Sequence, residues 1–292
     1  MHHISYVRAL AFLAAISVGV GDVRCQEAGF RPDQQKFIIQ RSADFAVRLN
    51  KTGRDLSISI SKHKRHIGDV ALPKEVAQVD SIEFVANNHA AVLGAASGSV
   101  DVVVVLDLDA GKVIDKFYCY APALSPNRRF LAFIKFFTPH FVPGVTDLYM
   151  LYDFQKSPEM NRPSNIAPED FRNVGTVMYP KGVVNRPDDN EGQPESQSHF
   201  LESGQFFWSP NSERVAFADR FQGRISLIVV AFSDAHMEVR EREINRSEAC
   251  LGKTDECTFM VTSIVFQARD QLKLTLRPRN SVPTKPEIDI QM

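Results

Sequence analysis

The chain has 292 residues and a mass of 32.8 kDa, with 34 Lys+Arg against 35 Asp+Glu and a formal charge of −1. Hydrophobic residues at 44% and charged residues at 24% exclude a wholly disordered chain. The near-neutral balance gives no support to a nucleic-acid binder held by a global positive field, and no interior apolar run reaches the roughly 18 residues of a spanning helix. At roughly 150 residues per domain the length fits two domains, or one large all-β domain.

Residues 1–21 carry the three regions of a secretory leader. A weakly basic start contains Arg8, an apolar run covers residues 9–18, and Gly19-Val20-Gly21 offers a small-x-small cleavage site before Asp22. The reading is a signal peptide at 1–21 and an exported chain at 22–292, periplasmic or extracellular, with no transmembrane segment after its removal. Cys25 is not a lipoprotein cysteine, because Asp22-Val23-Arg24 stands where a lipobox has apolar and small residues.

From there the chain reads as strands and turns. Leu56-Ser57-Ile58-Ser59-Ile60 alternates as a half-buried strand and runs into Lys62-His63-Lys64-Arg65-His66, a basic cluster read as a solvated hairpin tip. Val102-Val103-Val104-Val105 lacks alternation, as expected of a strand covered on both faces. It leads into Asp107-Leu108-Asp109-Ala110-Gly111, a hairpin turn whose spacing fails the calcium-loop pattern. Strands follow at 113–117, 130–136 and 147–154. Residues 155–204 hold Pro158, Pro163, Pro168, Pro180, Pro187 and Pro194 with the polar run Asp188-Asp189-Asn190-Glu191-Gly192-Gln193, and read as a long excursion with a short strand at 176–179. Further strands are expected at 214–218 and 224–232. Cys250 and Cys257 bracket a short loop with Gly252 and are expected to form a disulfide, since an exported chain permits one. Nothing in the sequence shows that Cys25 meets Cys119.

An internal repeat organises these elements. Ala123-Leu124-Ser125-Pro126-Asn127-Arg128-Arg129-Phe130-Leu131-Ala132-Phe133 aligns without gaps with Phe207-Trp208-Ser209-Pro210-Asn211-Ser212-Glu213-Arg214-Val215-Ala216-Phe217. An earlier copy spans residues 84–93, and fainter ones lie near 40–47 and 265–274. The turns Ser125, Pro126, Asn127 and Ser209, Pro210, Asn211 end one strand, because Pro cannot donate to a ladder and Asn tolerates turn geometry. An apolar stretch, Ser-Pro-Asn and a later Ala-Phe, followed by an Ile/Leu-rich strand, resembles the TolB-like β-propeller repeat, related in architecture to WD-repeat propellers. Family repeats carry Ser-Pro-Asp-Gly where these turns read Ser-Pro-Asn-Arg and Ser-Pro-Asn-Ser. The resemblance implies an all-β propeller, or an incomplete propeller-like array, of about five or six four-stranded blades. If the ring closes, a strand near 37–39 should complete the sheet holding 287–290.

No linear motif supplies chemistry. Gly94-Ala95-Ala96-Ser97-Gly98 fails the nucleophile-elbow spacing. His63 and His66 lack the acidic partner and third ligand that a zinc site needs, and His89, His140, His199 and His236 lie in unrelated contexts. Trp208 occupies a repeat position held elsewhere by Leu124 and Phe84, which reads as blade packing. Asn50-Lys51-Thr52 and Asn245-Arg246-Ser247 fit the glycosylation sequon. No residue is assigned to catalysis, a cofactor or a metal. Propellers host unrelated activities, so two functions stand: a non-catalytic binding or scaffold module engaging a protein or cell-envelope partner through one face or the 155–204 excursion, and an enzyme, hydrolase or lyase, whose site converges from several blades at the central channel.

Overall fold

A computed structural model describes residues 39–97, 100–135, 148–162, 174–180, 199–233, 236–251, 257–268 and 270–292, all within the unit Phe37–Met292. The expected leader at 1–21, Cys25, residues 37 and 38, His140 and the acidic run 188–191 lie outside the described residues.

The strands follow the chain in antiparallel succession. The first sheet holds β1 (Ile39–Arg41), β2 (Phe45–Thr52), β3 (Asp55–Lys62) and β4 (Arg65–Ala71). A seven-stranded sheet then holds β5 (Gln78–Val85), β6 (His89–Ser97), β7 (Val100–Asp107), β8 (Lys112–Leu124), β9 (Phe130–Lys135), β10 (Tyr149–Asp153) and β11 (Thr176–Tyr179). β8 makes this sheet two blades. Its first part pairs with β7 as far as Cys119, and its end pairs with β9 from Cys119 to Leu124, with a break in register between Tyr120 and Ala123. Ala121 in that break has a left-handed φ of 49°.

The fourth blade is built on β14 (Arg214–Phe221), β15 (Arg224–Phe232) and β16 (Met237–Glu243). Two short strands, β12 (Phe200–Leu201) and β13 (Phe207–Trp208), share the other edge of β14. A single helical turn, α1 (Arg246–Ala249), leads to the fifth blade, β17 (Phe259–Phe266), β18 (Gln271–Pro278) and β19 (Glu287–Gln291). The fold is all-β and propeller-like, with five blades among the described residues.

Tight turns of left-handed backbone join neighbouring strands: His63 and Lys64 between β3 and β4, Asn87 and Asn88 between β5 and β6, Gln222 and Gly223 between β14 and β15. Two consecutive residues with positive φ match the right-handed twist of the strands they connect. The basic cluster is such a hairpin tip, with Lys62 on Asp109 at 2.6 Å. The Asp107 carboxylate accepts from the backbone N–H of Asp109 and Ala110 at 3.0 and 2.9 Å, which closes the hairpin turn expected there.

Apolar burial is organised by seams between consecutive blades. Val47, Ile58 and Ile60 of the first blade pack on Ile82, Val92 and Val104 of the second. Phe117 of the second meets Phe133 and Tyr152 of the third at ring separations of 5.1 and 5.2 Å. Phe130 and Tyr149 meet Phe217 and Ile228 in the third seam, and Ala218 and Val229 meet Val261, Leu274 and Ile290 in the fourth. Each fully buried side chain of this size contributes about 1.5–3 kcal/mol. No apolar cluster among the described residues joins the fifth blade to the first.

The burial patterns explain this. β9 and β10 are buried at every position, as is most of β7. β2, β3, β18 and β19 alternate, burying one face only. The outer face of the first blade carries Asn50, Ser59 and Asp69 hydrogen-bonded across three strands. That of the fifth carries Lys273 bonded to Glu287 at 3.1 Å. A blade with one polar face ends an array, as capping repeats do.

Two expectations change. The strand expected to join the C-terminal sheet does not do so at Ile39, which pairs with Arg48 in the first sheet, while β19 pairs with β18. Ser42 explains the local choice: it binds Phe45 through both backbone and hydroxyl, at 2.8 and 3.0 Å, closing a hairpin that costs far less loop entropy than a pairing across the chain. The 155–204 stretch is also more than an excursion. The strand expected at 176–179 is present as β11 and completes the third blade, and β12 supplies part of the fourth.

Candidate functional site

The repeat turns are structural. Ser125 and Ser209 are buried, and each hydroxyl donates to its own Asn127 or Asn211 carbonyl at 2.8 and 2.7 Å while accepting the N–H of Phe130 or Arg214 at 2.9 Å. Pro126 and Pro210 fall between these partners, where no backbone donor is needed. The two turns also meet: the Asn127 N–H donates to Ser212 Oγ at 2.8 Å, tying the third blade to the fourth. Trp208 stacks on Phe130 at 6.1 Å and donates from its indole to the Ala123 carbonyl at 3.0 Å, as blade packing requires.

The Cys250–Cys257 disulfide is formed, closing the end of α1 onto the start of the fifth blade. Cys119 is a buried thiol in the second seam, and burial pushes its pKa well up, so it is a poor nucleophile.

Each of the three later seams holds one buried carboxylate gripped from the neighbouring blade. Asp115, on β8, accepts from the Tyr152 hydroxyl at 2.9 Å and from both terminal nitrogens of Arg162. Burial and the Asp115 charge raise the Tyr152 pKa. Asp219, on β14, accepts from the Tyr149 hydroxyl at 2.5 Å and lies 2.7 Å from His199 Nδ1. The His199 ring stacks on Phe221 at 4.2 Å and meets Tyr179 edge-on at 5.4 Å. Glu202, after β12, accepts from Arg279 Nη2 at 2.6 Å and has Arg220 Nε at 3.3 Å. Burial raises the Glu202 pKa, and Arg279 and then Arg220 oppose that rise.

Glu202 lines a cavity. A cleft of about 750 Å³ opens between the fourth and fifth blades. Arg220, Gln222, Gly223 and Arg224 of the β14–β15 hairpin line it together with Arg246, Thr258 and Arg279. Ile225, Ile244, Phe259 and Cys257 supply its apolar lining. Four arginines against Glu202 and Glu243 leave the lining at a formal charge of +2. Arg224 and Glu243 lie 3.8 Å apart and are open to solvent, so their attraction is weak. Among the described residues no group of three His, Cys, Asp or Glu is arranged to hold a metal ion.

Sequence reasoning missed Asp115, Asp219, His199, Glu202 and the arginine cleft. The Gln222-Gly223 turn was the available signal of a hairpin end, but its register puts Arg220, opposite Ile225, and Arg224, opposite Phe221, on different faces of the sheet. Arg279 reaches Glu202 across 77 residues, a separation no local pattern reports.

No family model matches the chain, and no curated protein matches it. Solved structures resemble it in fold. One is a prolyl endopeptidase, 10% identical with a TM-score of 0.42, the match covering 87% of this chain and 34% of that one. Another is oligopeptidase B from Leishmania major, 9% identical with a TM-score of 0.39, covering 83% and 32%. A third is a periplasmic gluconolactonase from Pseudomonas aeruginosa, 10% identical with a TM-score of 0.35, covering 83% and 65%. The chain thus spans about a third of the length of either peptidase. The chemistry of these enzymes does not carry over to this chain at such identity.

Proposed function

We propose that the protein is an exported, non-catalytic binding module of the TolB-like propeller type, engaging a protein or cell-envelope partner outside the cytoplasm. The leader pattern at 1–21 and the disulfide support export, since a structural disulfide persists in an oxidising compartment. The observation that carries the binding reading is the state of the buried carboxylates: Asp115, Asp219 and Glu202 are each engaged by groups of an adjoining segment or blade, so they hold seams together. The cavity beside Glu202 is lined by four arginines, Glu202, Glu243 and apolar side chains, which suits recognition. The test is capture from the exported fraction by immobilised full chain, compared with an Arg224→Glu variant. A specific partner lost on charge reversal supports the reading, and capture unchanged by it removes the cleft as the contact. Deleting 155–204 is a poor test, because it would remove β11 and Glu202.

One observation favours a catalytic reading. Asp219 holds His199 in the manner that orients a general base. Its ring is covered by Phe221 and Tyr179, leaving 13% of the side chain exposed. Turnover of any ester or lactone by the purified chain, lost in His199→Gln with the fold retained, would favour the enzyme.

A further inference from the structure

Among the described residues the first four blades each have four strand positions, and the fifth has three, β17, β18 and β19. The place that β16 fills in the fourth blade has no counterpart beyond β19. The ladder between β18 and β19 fixes which backbone groups of that edge are used. Leu276 N–H donates to the Pro286 carbonyl at 2.9 Å, and Met292 N–H to the Asp270 carbonyl at 2.8 Å. Bonded pairs alternate in an antiparallel ladder, so Ile288 and Ile290 also bond β18, while Glu287, Asp289 and Gln291 turn their N–H and C=O groups away from it. Arg242 agrees with that direction, because its Nη1 donates to the Gln291 carbonyl at 3.1 Å from the fourth blade. The three outward N–H groups and the carbonyls of Glu287 and Asp289 have no partner among the described residues.

The side chains along this edge select what can add to it. Ile288 and Ile290 are buried against the fourth blade, and Glu287 and Asp289 are exposed on the other face. Lys273 bonds Glu287 at 3.1 Å and stands opposite Asp289 in the ladder, so two carboxylates share one ammonium. A second copy added antiparallel in full overlap sets Asp289 against its own image, and like charges directly opposite are destabilising. A strand with Lys or Arg at those positions is favoured instead. Its alternate residues fall on the side of Arg240 and Arg242, which share a face of the fourth blade with Val229 and Leu227. These arginines already bond Glu238 and Asp270, and Glu248, so uncharged side chains suit that side.

We propose that β19 is a docking edge for an extended protein segment that alternates basic with uncharged β-forming residues, which completes the fifth blade as its fourth strand. The open main-chain groups supply affinity, and the acidic pair supplies selectivity. The proposal rests on the binding reading above and names the chemistry of its partner.

The experiment is calorimetric titration of the full exported chain with two end-blocked heptapeptides, one alternating valine with lysine and the other valine with glutamate. Amide hydrogen exchange is read in parallel. Wild type is compared with Asp289→Pro, Asp289→Lys and Asp55→Lys, and circular dichroism checks that each is folded. Asp289→Pro removes an outward N–H that the β18–β19 ladder does not use. Asp55→Lys makes the same charge change at an exposed position of the first blade. Wild type should bind the lysine peptide in preference to the glutamate peptide, and binding should slow exchange at Glu287, Asp289 and Gln291. Asp289→Pro should weaken binding by roughly tenfold or more, and Asp289→Lys by roughly fivefold, while Asp55→Lys should match wild type. No binding by wild type, equal binding of the two peptides, undiminished binding by both Asp289 variants, or equal weakening by Asp55→Lys overturns the docking edge. Glu287 and Asp289 amides already protected in the free chain overturn it too, since the edge is then filled. The binding reading is judged separately, by whether the immobilised chain captures any partner from the exported fraction. Cleavage of the lysine peptide during the titration keeps the edge and overturns the non-catalytic reading instead.

Discussion

Arg128 and Ser212 occupy the same repeat position, both with left-handed backbone at φ 62° and 63°, where glycine is at ease and other residues are strained. They differ in what their side chains do. Arg128 reaches only Glu83, at 3.1 Å on the surface, whereas Ser212 accepts the Asn127 N–H between blades. Arg128→Gly should therefore leave the melting temperature unchanged or slightly raised, the relief of roughly 1 kcal/mol being offset by added unfolded-state entropy. Ser212→Gly should lower it, losing about 1 kcal/mol with the hydrogen bond; differential scanning calorimetry on both reads the order. His89, half-buried at the start of β6, has its pKa lowered from 6.5 by burial, with Asp107 and Asp109 opposing. A histidine depressed in the folded state stays neutral there while the unfolded chain takes up a proton. Stability is thus fully present above 6.5 and declines as pH falls through that value toward the folded pKa. Urea midpoints at about pH 7.5 and about pH 5.5 should show a larger loss for wild type than for His89→Gln.

Among the elements, the seams carry the strongest expectations. Asp115 is fully buried, and Arg162 neutralises it from the segment following β10. Arg162→Met would leave that carboxylate with the Tyr152 hydroxyl as its remaining donor across the seam. Removing one partner of a buried pair costs about 3–5 kcal/mol, so chemical denaturation of Arg162→Met should show a loss of that size, larger than for any surface arginine. The Cys250–Cys257 bridge closes a loop of sequence separation 7. A loop this short places the stabilisation near the low end, about 2 kcal/mol. Cys250→Ser with Cys257→Ser should lose that amount by urea titration and keep its far-ultraviolet spectrum, since Phe259, Val261 and Leu274 still bury the fifth blade.

For the whole molecule, the consequence of polar end faces is uneven stability. β7, β9, β10 and most of β14, in blades two to four, are covered on both sides, whereas β2, β3, β18 and β19 of the first and fifth are covered on one. In an array whose units contact only their neighbours, end units open first. Native-state hydrogen exchange should find the amides of β7, β9 and β14 the most protected and those of β2 and β19 the least. Equal protection in all five blades would instead mean that the first and last blades share a closing seam in solution.

Much of this architecture follows from residues close together in the chain. Ser-Pro-Asn followed by an apolar strand specifies its own turn, because hydroxyl, amide and proline act within five residues. Val100–Asp107 announces double-sided burial by its lack of alternation, and Asp55–Lys62 single-sided burial by its regular alternation. The Cys250–Cys257 pairing is legible for the same reason of short range. The tertiary structure alone decided which strands cap the array and which charges meet. His199 and Asp219 are 20 residues apart, Tyr149 and Asp219 are 70, and Arg279 and Glu202 are 77. The pairing of β12 with β14 sets the first, and the stagger of one blade on the next sets the other two. That stagger depends on the summed packing of side chains along each seam, which no short stretch of sequence contains.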